Sequence, residues 1–259
     1  FFGGIHRGMT PPSNGTLLTL NFGQTDGTTF DGLDLKSETS WTKEIGIRTN
    51  MKLISGELAF FHLSIDNLIA AARGTTFTSL DRVTSQGIES NITVQLNQLN
   101  TWLPNFFLTY TYLETEIVNG VLTASALNDS IRPDVSGNEL PYAPRHNFIF
   151  GMVYNWNEKF ELMVNYRYVS KSWTDYENIN FRSNRGDTGP VPIYRLLNAS
   201  LTYRVNEKFR TFLTAKNILD TKYIGSRLHS NPRQQNASSS SGIIPGPTRQ
   251  INLGINYNF

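Results

Sequence analysis

The chain has 259 residues, no cysteine and a formal net charge of +2. This excludes a disulfide framework and a thiolate metal site and, with no Lys/Arg cluster anywhere, a nucleic-acid partner. Hydrophobic residues make up 39% and mean hydropathy is −0.32, values that suit a soluble domain and equally a β-barrel whose strands meet lipid only at every second residue.

Residues 1–8 carry neither an initiator Met nor a signal-peptide pattern. They read as a first strand, and an exported chain of this kind is expected to be a mature product or a fragment. From Trp41 the sequence alternates with a period of two. Trp41, Lys43, Ile45 and Ile47 oppose Thr42, Glu44, Gly46 and Arg48, the mark of a strand with one apolar and one polar face. Ala59, Phe61, Leu63 and Ile65 are expected to share the apolar face of the next strand, which turns His62 and Ser64 to the polar side. Ile88, Ser90, Ile92, Val94 and Leu96 then oppose Glu89, Asn91, Thr93 and Gln95. The stretch 90–113 is free of charge, but Asn91, Gln95, Asn97, Gln98, Asn100, Pro104 and Asn105 interrupt it. It reads as two strands and a turn, not a transmembrane helix.

Further apolar faces follow at Phe106–Leu108–Tyr110–Tyr112, Phe148–Phe150–Met152–Tyr154–Trp156, Phe160–Leu162–Val164–Tyr166–Tyr168 and Ala199–Leu201–Tyr203–Val205. The last strand places Ile251, Leu253, Ile255, Tyr257 and Phe259 on one side and Asn252, Gly254, Asn256 and Asn258 on the other. For this strand alone, an edge of a soluble β-sandwich is the competing reading. Tight turns are expected at 50–55, 97–105, 155–159 and 206–208, and long polar loops at 67–84, 119–143, 173–191 and 220–248. Short turns at one end and long loops at the other fit an outer-membrane barrel, with Phe259 at the periplasmic side. About ten strands are expected.

Several phrases carry a family resemblance. Gly4-Ile-His-Arg-Gly-Met-Thr-Pro-Pro-Ser13, Leu35-Lys-Ser-Glu-Thr-Ser-Trp-Thr-Lys-Glu-Ile-Gly-Ile-Arg48, Arg82-Val-Thr-Ser-Gln-Gly-Ile-Glu89, Glu139-Leu-Pro-Tyr-Ala-Pro-Arg-His146, Ala215-Lys-Asn-Ile-Leu-Asp-Thr-Lys-Tyr223 and Pro245-Gly-Pro-Thr-Arg249 occur in this order. The set resembles the barrel of TonB-dependent receptors, particularly those of the ferric-citrate and siderophore type. Met9 and Ser37 depart from the aromatic and proline usual there. The resemblance implies an all-β chain: about ten C-terminal strands, spanning 1–259, of a 22-stranded transmembrane antiparallel barrel, with the N-terminal plug and first strands outside this chain. It implies import of a ferric chelate across the outer membrane of a Gram-negative bacterium, with the chelate as transported ligand and no intrinsic cofactor. The implied partners are a TonB-ExbB-ExbD energising complex reached through the N-terminal part, outer-membrane lipid and lipopolysaccharide, and the barrel-assembly machinery through Phe259. Asn217 is expected to end a strand and help turn the chain, with Asp220 and Tyr223 in structural roles. A passive porin, or a structural barrel of an envelope complex, are the alternatives.

His6, His62, His146 and His229 have no metal-ligand spacing, and neither HExxH nor GxSxG occurs, so no enzyme is expected. The loop residues Arg182, Arg185, Arg227, His229, Arg233, Gln234, Gln235 and Asn236 are the candidates for meeting an anionic chelate, because a guanidinium fork gives a carboxylate two hydrogen bonds at once. Ordinary solvated loop charge, or contact with lipopolysaccharide phosphate, is the plainer account of each. Glu44, Arg48, Glu89, Glu161, Arg167 and Arg204 on the polar face are expected to pair across strands.

Overall fold

A computed structural model describes residues 1–12, 36–71, 77–122, 131–184, 186–227 and 242–258. Ten strands form one antiparallel sheet in which each neighbour in space is the neighbour in sequence: β1 (Phe2–Thr10), β2 (Glu38–Asn50), β3 (Ile54–Ala71), β4 (Phe77–Val94), β5 (Asn105–Asn119), β6 (His146–Trp156), β7 (Phe160–Val169), β8 (Tyr194–Arg204), β9 (Phe209–Lys216) and, after an intervening hairpin, β12 (Gln250–Tyr257). That hairpin, β10 (Ile224–Arg227) with β11 (Ile243–Pro245), lies inside the last long loop. None of the described helices is long and apolar enough to cross a membrane, which leaves crossing by strands untouched.

The register converts the sequence alternation into two continuous faces. One row runs Phe106, Met152, Val164, Ala199, Ala215, Ile251 across β5 to β12, apolar at every position. One residue along, Phe107, Gly151, Asn165 and Asn198 form a row on the opposite, polar face. Phe106 stands at the turn end of β5, whereas Ile251 stands at the loop end of β12. A row of partners that climbs from one end of the wall to the other is the stagger that tilted barrel strands require. Large apolar side chains such as Ile45, Phe60, Phe150, Leu253 and Ile255 stand exposed on the apolar face, and leaving each in water costs about 1.5–3 kcal/mol relative to burial. Lipid removes that cost.

On β3 the structure corrects the sequence reading. Leu58, Phe60, His62 and Ser64 register with Ile47, Ile45, Lys43 and Trp41, so they take the apolar face, while Ala59, Phe61, Leu63 and Ile65 register with the polar side of β2. The run Leu58-Ala-Phe-Phe61 is apolar in both parities, so alternation within β3 could not choose, and pairing with β2 does. His62 therefore belongs to the row Ile5, Lys43, His62, Gln86, Glu114, at the upper rim of the apolar face, with Gln86 Nε2 donating to Glu114 at 3.1 Å.

Residues 67–84, expected as a loop, are instead largely strand: β3 and β4 each run 18 residues and pair from Ile54–Val94 out to Ala71–Phe77. Loop residues cover the strands at this end, so Leu80 and Val83 are both buried although they differ in parity, and the alternation fades while the ladder continues. The main buried cluster sits at this end, where Ala70, Leu80, Val83, Ile117, Leu122 and Val135 pack with Leu68, Leu140 and Tyr176 against them.

Candidate functional site

The long-loop end is a cross-bonded cap. Residues 133–145 fold back along β5, with Leu122 N donating to Pro133 O (3.0 Å), Val135 N to Gly120 O (2.9 Å) and Ile117 N to Asn138 O (2.8 Å). Asn178 has a φ of 53°, a left-handed position that asparagine tolerates. It uses both ends of its amide: Oδ1 accepts from Glu139 N (2.9 Å) and Nδ2 donates to Glu139 O (2.9 Å). Tyr142 N donates to Trp173 O (2.8 Å), and the Tyr142 hydroxyl donates to Arg227 O (3.1 Å) while accepting from Arg227 N (3.0 Å).

Arg227 is 3% exposed. Its guanidinium donates to Gly186 O and, at 3.2 Å, to Pro190 O. Burial disfavours its charge and Arg182 acts in the same direction, while Tyr142, Asp187 and Asp175 oppose them. Of the loop candidates, Arg227 is therefore a bolt between the loops and not a group held out to solute. Arg182 is exposed and near enough to Arg227 to act on its charge. Arg185, His229, Arg233, Gln234, Gln235 and Asn236 lie outside the described residues, as do the 238–241 serine run and Phe259. Asn258 N donates to Lys208 O (2.8 Å), which brings Asn258 beside the short β8–β9 turn.

At the foot of the cap, Asn217 (φ 48°) and Asp220 (φ 51°) are both left-handed. Asn217 Nδ2 donates to Thr221 O and Pro247 O, both at 3.0 Å, and Oδ1 accepts from Thr221 N (2.9 Å). Asp220 Oδ1 accepts from Arg249 N (2.9 Å), and Oδ2 binds Lys222 Nζ (2.9 Å). The Tyr223 ring stacks on Tyr194 with centroids 4.5 Å apart. The structural roles expected for these three residues are what the geometry gives them.

The polar wall pairs less than expected. Arg48 bonds Glu57 at 2.6 Å and Arg204 reaches Glu161 at 3.9 Å, both exposed pairs worth about 0–1 kcal/mol. Glu44 and Glu89 have no salt bridge among the described residues, because the register partners of Glu44 are Gly4 and Phe61 and those of Glu89 are Ala59 and Thr111. Arg167 stands between Ile149 and Leu196. Sequence reasoning gave no role to Asn178 or to the Tyr142 hydroxyl, since nothing local marks a residue whose partners lie 39 or 85 positions away. Among the described residues no group of three metal-ligating side chains converges.

Residues 1–218 match the family of TonB dependent receptor-like β-barrels. Among solved structures, the chain is similar to the ferric citrate transporter FecA in its unliganded form, at 21% identity and a TM-score of 0.67 over 85% of this chain and 31% of that one. It is similar to the ferric-catecholate import receptor Fiu from K12 E. coli in its closed form, at 22% identity and a TM-score of 0.65 over 98% of this chain and 32% of that one. It is similar also to the copper transporter OprC, at 14% identity and a TM-score of 0.70 over 99% and 36%. At these identities the likeness is one of fold, and the chain spans about a third of each structure's length. No curated protein matches by sequence.

Proposed function

From the premise that this chain belongs to the TonB-dependent receptor β-barrel family, a family of receptors and not of enzymes, we propose that it is the C-terminal wall of an outer-membrane receptor that imports a ferric chelate into a Gram-negative cell. The plug and the first barrel strands belong to the rest of that receptor, and a TonB-ExbB-ExbD complex energises it through the N-terminal part. The ferric chelate is cargo, so no resident cofactor is invoked. Lipid and lipopolysaccharide meet the apolar face, and the barrel-assembly machinery reads the end at Phe259.

The observation that carries this reading is the pairing of an unbroken apolar row from Phe106 to Ile251 with a loop cap built at one end only. A soluble sandwich has no use for so much exposed apolar surface. Arg182, with Arg185, His229, Arg233, Gln234 and Asn236 on the same loops, supplies cationic and amide donors for an anionic chelate. Arg227 holds those loops together. The test is uptake of radio-iron chelates (ferric citrate first, then catecholates) by cells expressing the complete receptor, with and without a collapsed inner-membrane proton gradient. Uptake that stops on collapse supports energised import. Flux that continues unchanged would establish a passive channel instead.

A further inference from the structure

The short-turn end holds a notch of about 290 Å³ between the β4–β5 and β6–β7 turns, where the β5–β6 ladder stops at Asn105–Val153 while β6 runs on to Trp156. Asn97, Trp102, Asn155, Trp156 and Glu158 line it, and among the described lining residues Glu158 alone is ionisable. Glu158 makes no salt bridge among the described residues. Trp156 shares the parity of Met152 on the apolar face. Its ring begins a stack that runs through Phe160 (5.6 Å) to Tyr203 (4.5 Å), which holds the indole in place.

The four tryptophans divide by height on the wall. At the loop end Trp41 carries Arg7, 5.7 Å from its ring centre, and Trp173 carries Lys171 at 3.8 Å. At the turn end no cation among the described residues stands over Trp102 or Trp156, and both rings are exposed. Indole faces attract ammonium groups within about 6 Å, and the carboxylate and side-chain amides beside these two add acceptors for ammonium N–H groups.

The β6–β7 turn carries strain at that carboxylate. Asn157 (φ 50°) and Glu158 (φ 56°) are both left-handed, and Lys159 N donates to Trp156 O at 3.2 Å. A two-residue hairpin loop with positive φ at both central positions favours Asn-Gly. Asparagine fills the first position here, but glutamate stands where glycine fits best, a choice that turn geometry alone does not call for. Asn157 and Glu158 also line the adjoining cavity, which sets Lys159, Arg204, Lys208 and Arg210 against one further carboxylate, Glu207. The hairpin tip therefore offers acceptors and indole faces on one side and cations on the other, the match for a zwitterion.

We propose that the notch binds the headgroup of a zwitterionic phospholipid from the periplasmic leaflet: its primary ammonium rests against Trp102 and Trp156 and donates to Glu158, and its phosphate turns to Lys159. The short turns put the notch at the headgroup level, and the site holds whatever the cargo. The test is native mass spectrometry of the complete receptor in detergent, titrated with equimolar phosphatidylethanolamine and phosphatidylglycerol of identical acyl chains, with heat-modifiable mobility as the folding control for each variant. The unaltered receptor is expected to retain phosphatidylethanolamine over phosphatidylglycerol by about threefold to tenfold, the range of one cation–π contact. Glu158→Gln and Trp102→Leu should each reduce that preference. Glu158→Gly separates binding from folding: it gives the turn its favoured residue, so the receptor should resist heat at least as well, yet the preference should be lost. Equal retention of the two lipids by the unaltered receptor, or a preference that survives both Glu158→Gln and Glu158→Gly, overturns the proposal. Uptake of ferric chelates is a separate measurement, so failure here and failure of the uptake reading are told apart.

Discussion

Asn217 is 3% exposed, left-handed and engaged through all of its side-chain polar atoms. Alanine there removes three hydrogen bonds worth about 1 kcal/mol each and, unlike asparagine, is disfavoured in the left-handed region by a further ~1 kcal/mol. Asn217→Ala should therefore lower the unfolding free energy of the complete receptor by about 3–4 kcal/mol in a urea titration, and Asn217→Gly, which relieves only the backbone, by less. A drop below half a kcal/mol for alanine would show that the knot is incidental. Asp220, three residues on, makes the same turn depend on pH. The Arg249 N–H and then the Lys222 ammonium hold its carboxyl below the ordinary carboxylate value. A depressed carboxylate stabilises the fold above its unfolded value, near 4, and that contribution is lost as pH falls through the lower folded value. Protection of the Arg249 amide against hydrogen exchange, taken relative to an unstructured control, should thus decline on acidification below about pH 4. Asp220→Asn, whose amide oxygen still accepts from Arg249 N, should keep partial protection and lose the pH dependence.

At the scale of strands, four Phe–Gly pairs stand directly opposite each other on the polar face: Phe2 with Gly46, Phe61 with Gly87, Phe107 with Gly151, and Phe212 with Gly254. The Phe2, Phe107 and Phe212 rings lie where a Cβ on the facing glycine would be, and the Phe61 ring lies 3.0 Å from that point on Gly87. The ring covers the bare backbone and its aryl face replaces the missing side chain, which also pins register, since a slip by one residue would set the ring against a side chain. A Cβ at Gly151 meets the Phe107 ring and comes within 2.7 Å of Val164 O. Gly151→Ala should destabilise the barrel by about 1–3 kcal/mol through overpacking, and by clearly less when Phe107→Ala is also present. Additivity of the two changes in a double-mutant cycle would refute the coupling. None of these pairs was legible in advance, because each needs the register of two strands. What sequence did carry was the parity of β2, β4 to β8 and β12, where polar and apolar residues separate cleanly. It failed on β3, apolar at both parities around Phe60, and on the upper parts of β3 and β4, where Leu80 and Val83, of opposite parity, are both buried under the loop cap. The Arg227 bolt was hidden for a related reason: a guanidinium in a polar loop reads as solvated charge until Gly186, Pro190 and Tyr142 close around it.

The molecule as a whole is a sheet with β1 at one edge and β12 at the other, and among the described residues the two do not pair. The outward backbone groups of 250–256 along β12, and those of Phe2–Thr10, then have no ladder partner among the described residues where the apolar face meets lipid. In a bilayer each such group costs several kcal/mol, more in sum than the few-kcal/mol surplus by which a folded chain survives. The apolar face argues for insertion, and the edges argue against insertion alone. The 29.2 kDa chain expressed by itself and refolded into phospholipid vesicles should therefore associate edge to edge into heterogeneous oligomers, with no compact heat-modifiable band and no protease-resistant monomer. Supplying the remaining strands of the receptor in trans should restore both, because it pairs β1 and β12 and closes the wall. A monomer of the 259 residues that inserts alone and conducts ions would instead require β1 to pair with β12. That result would make the chain a small closed barrel and remove the need for any other part of a receptor.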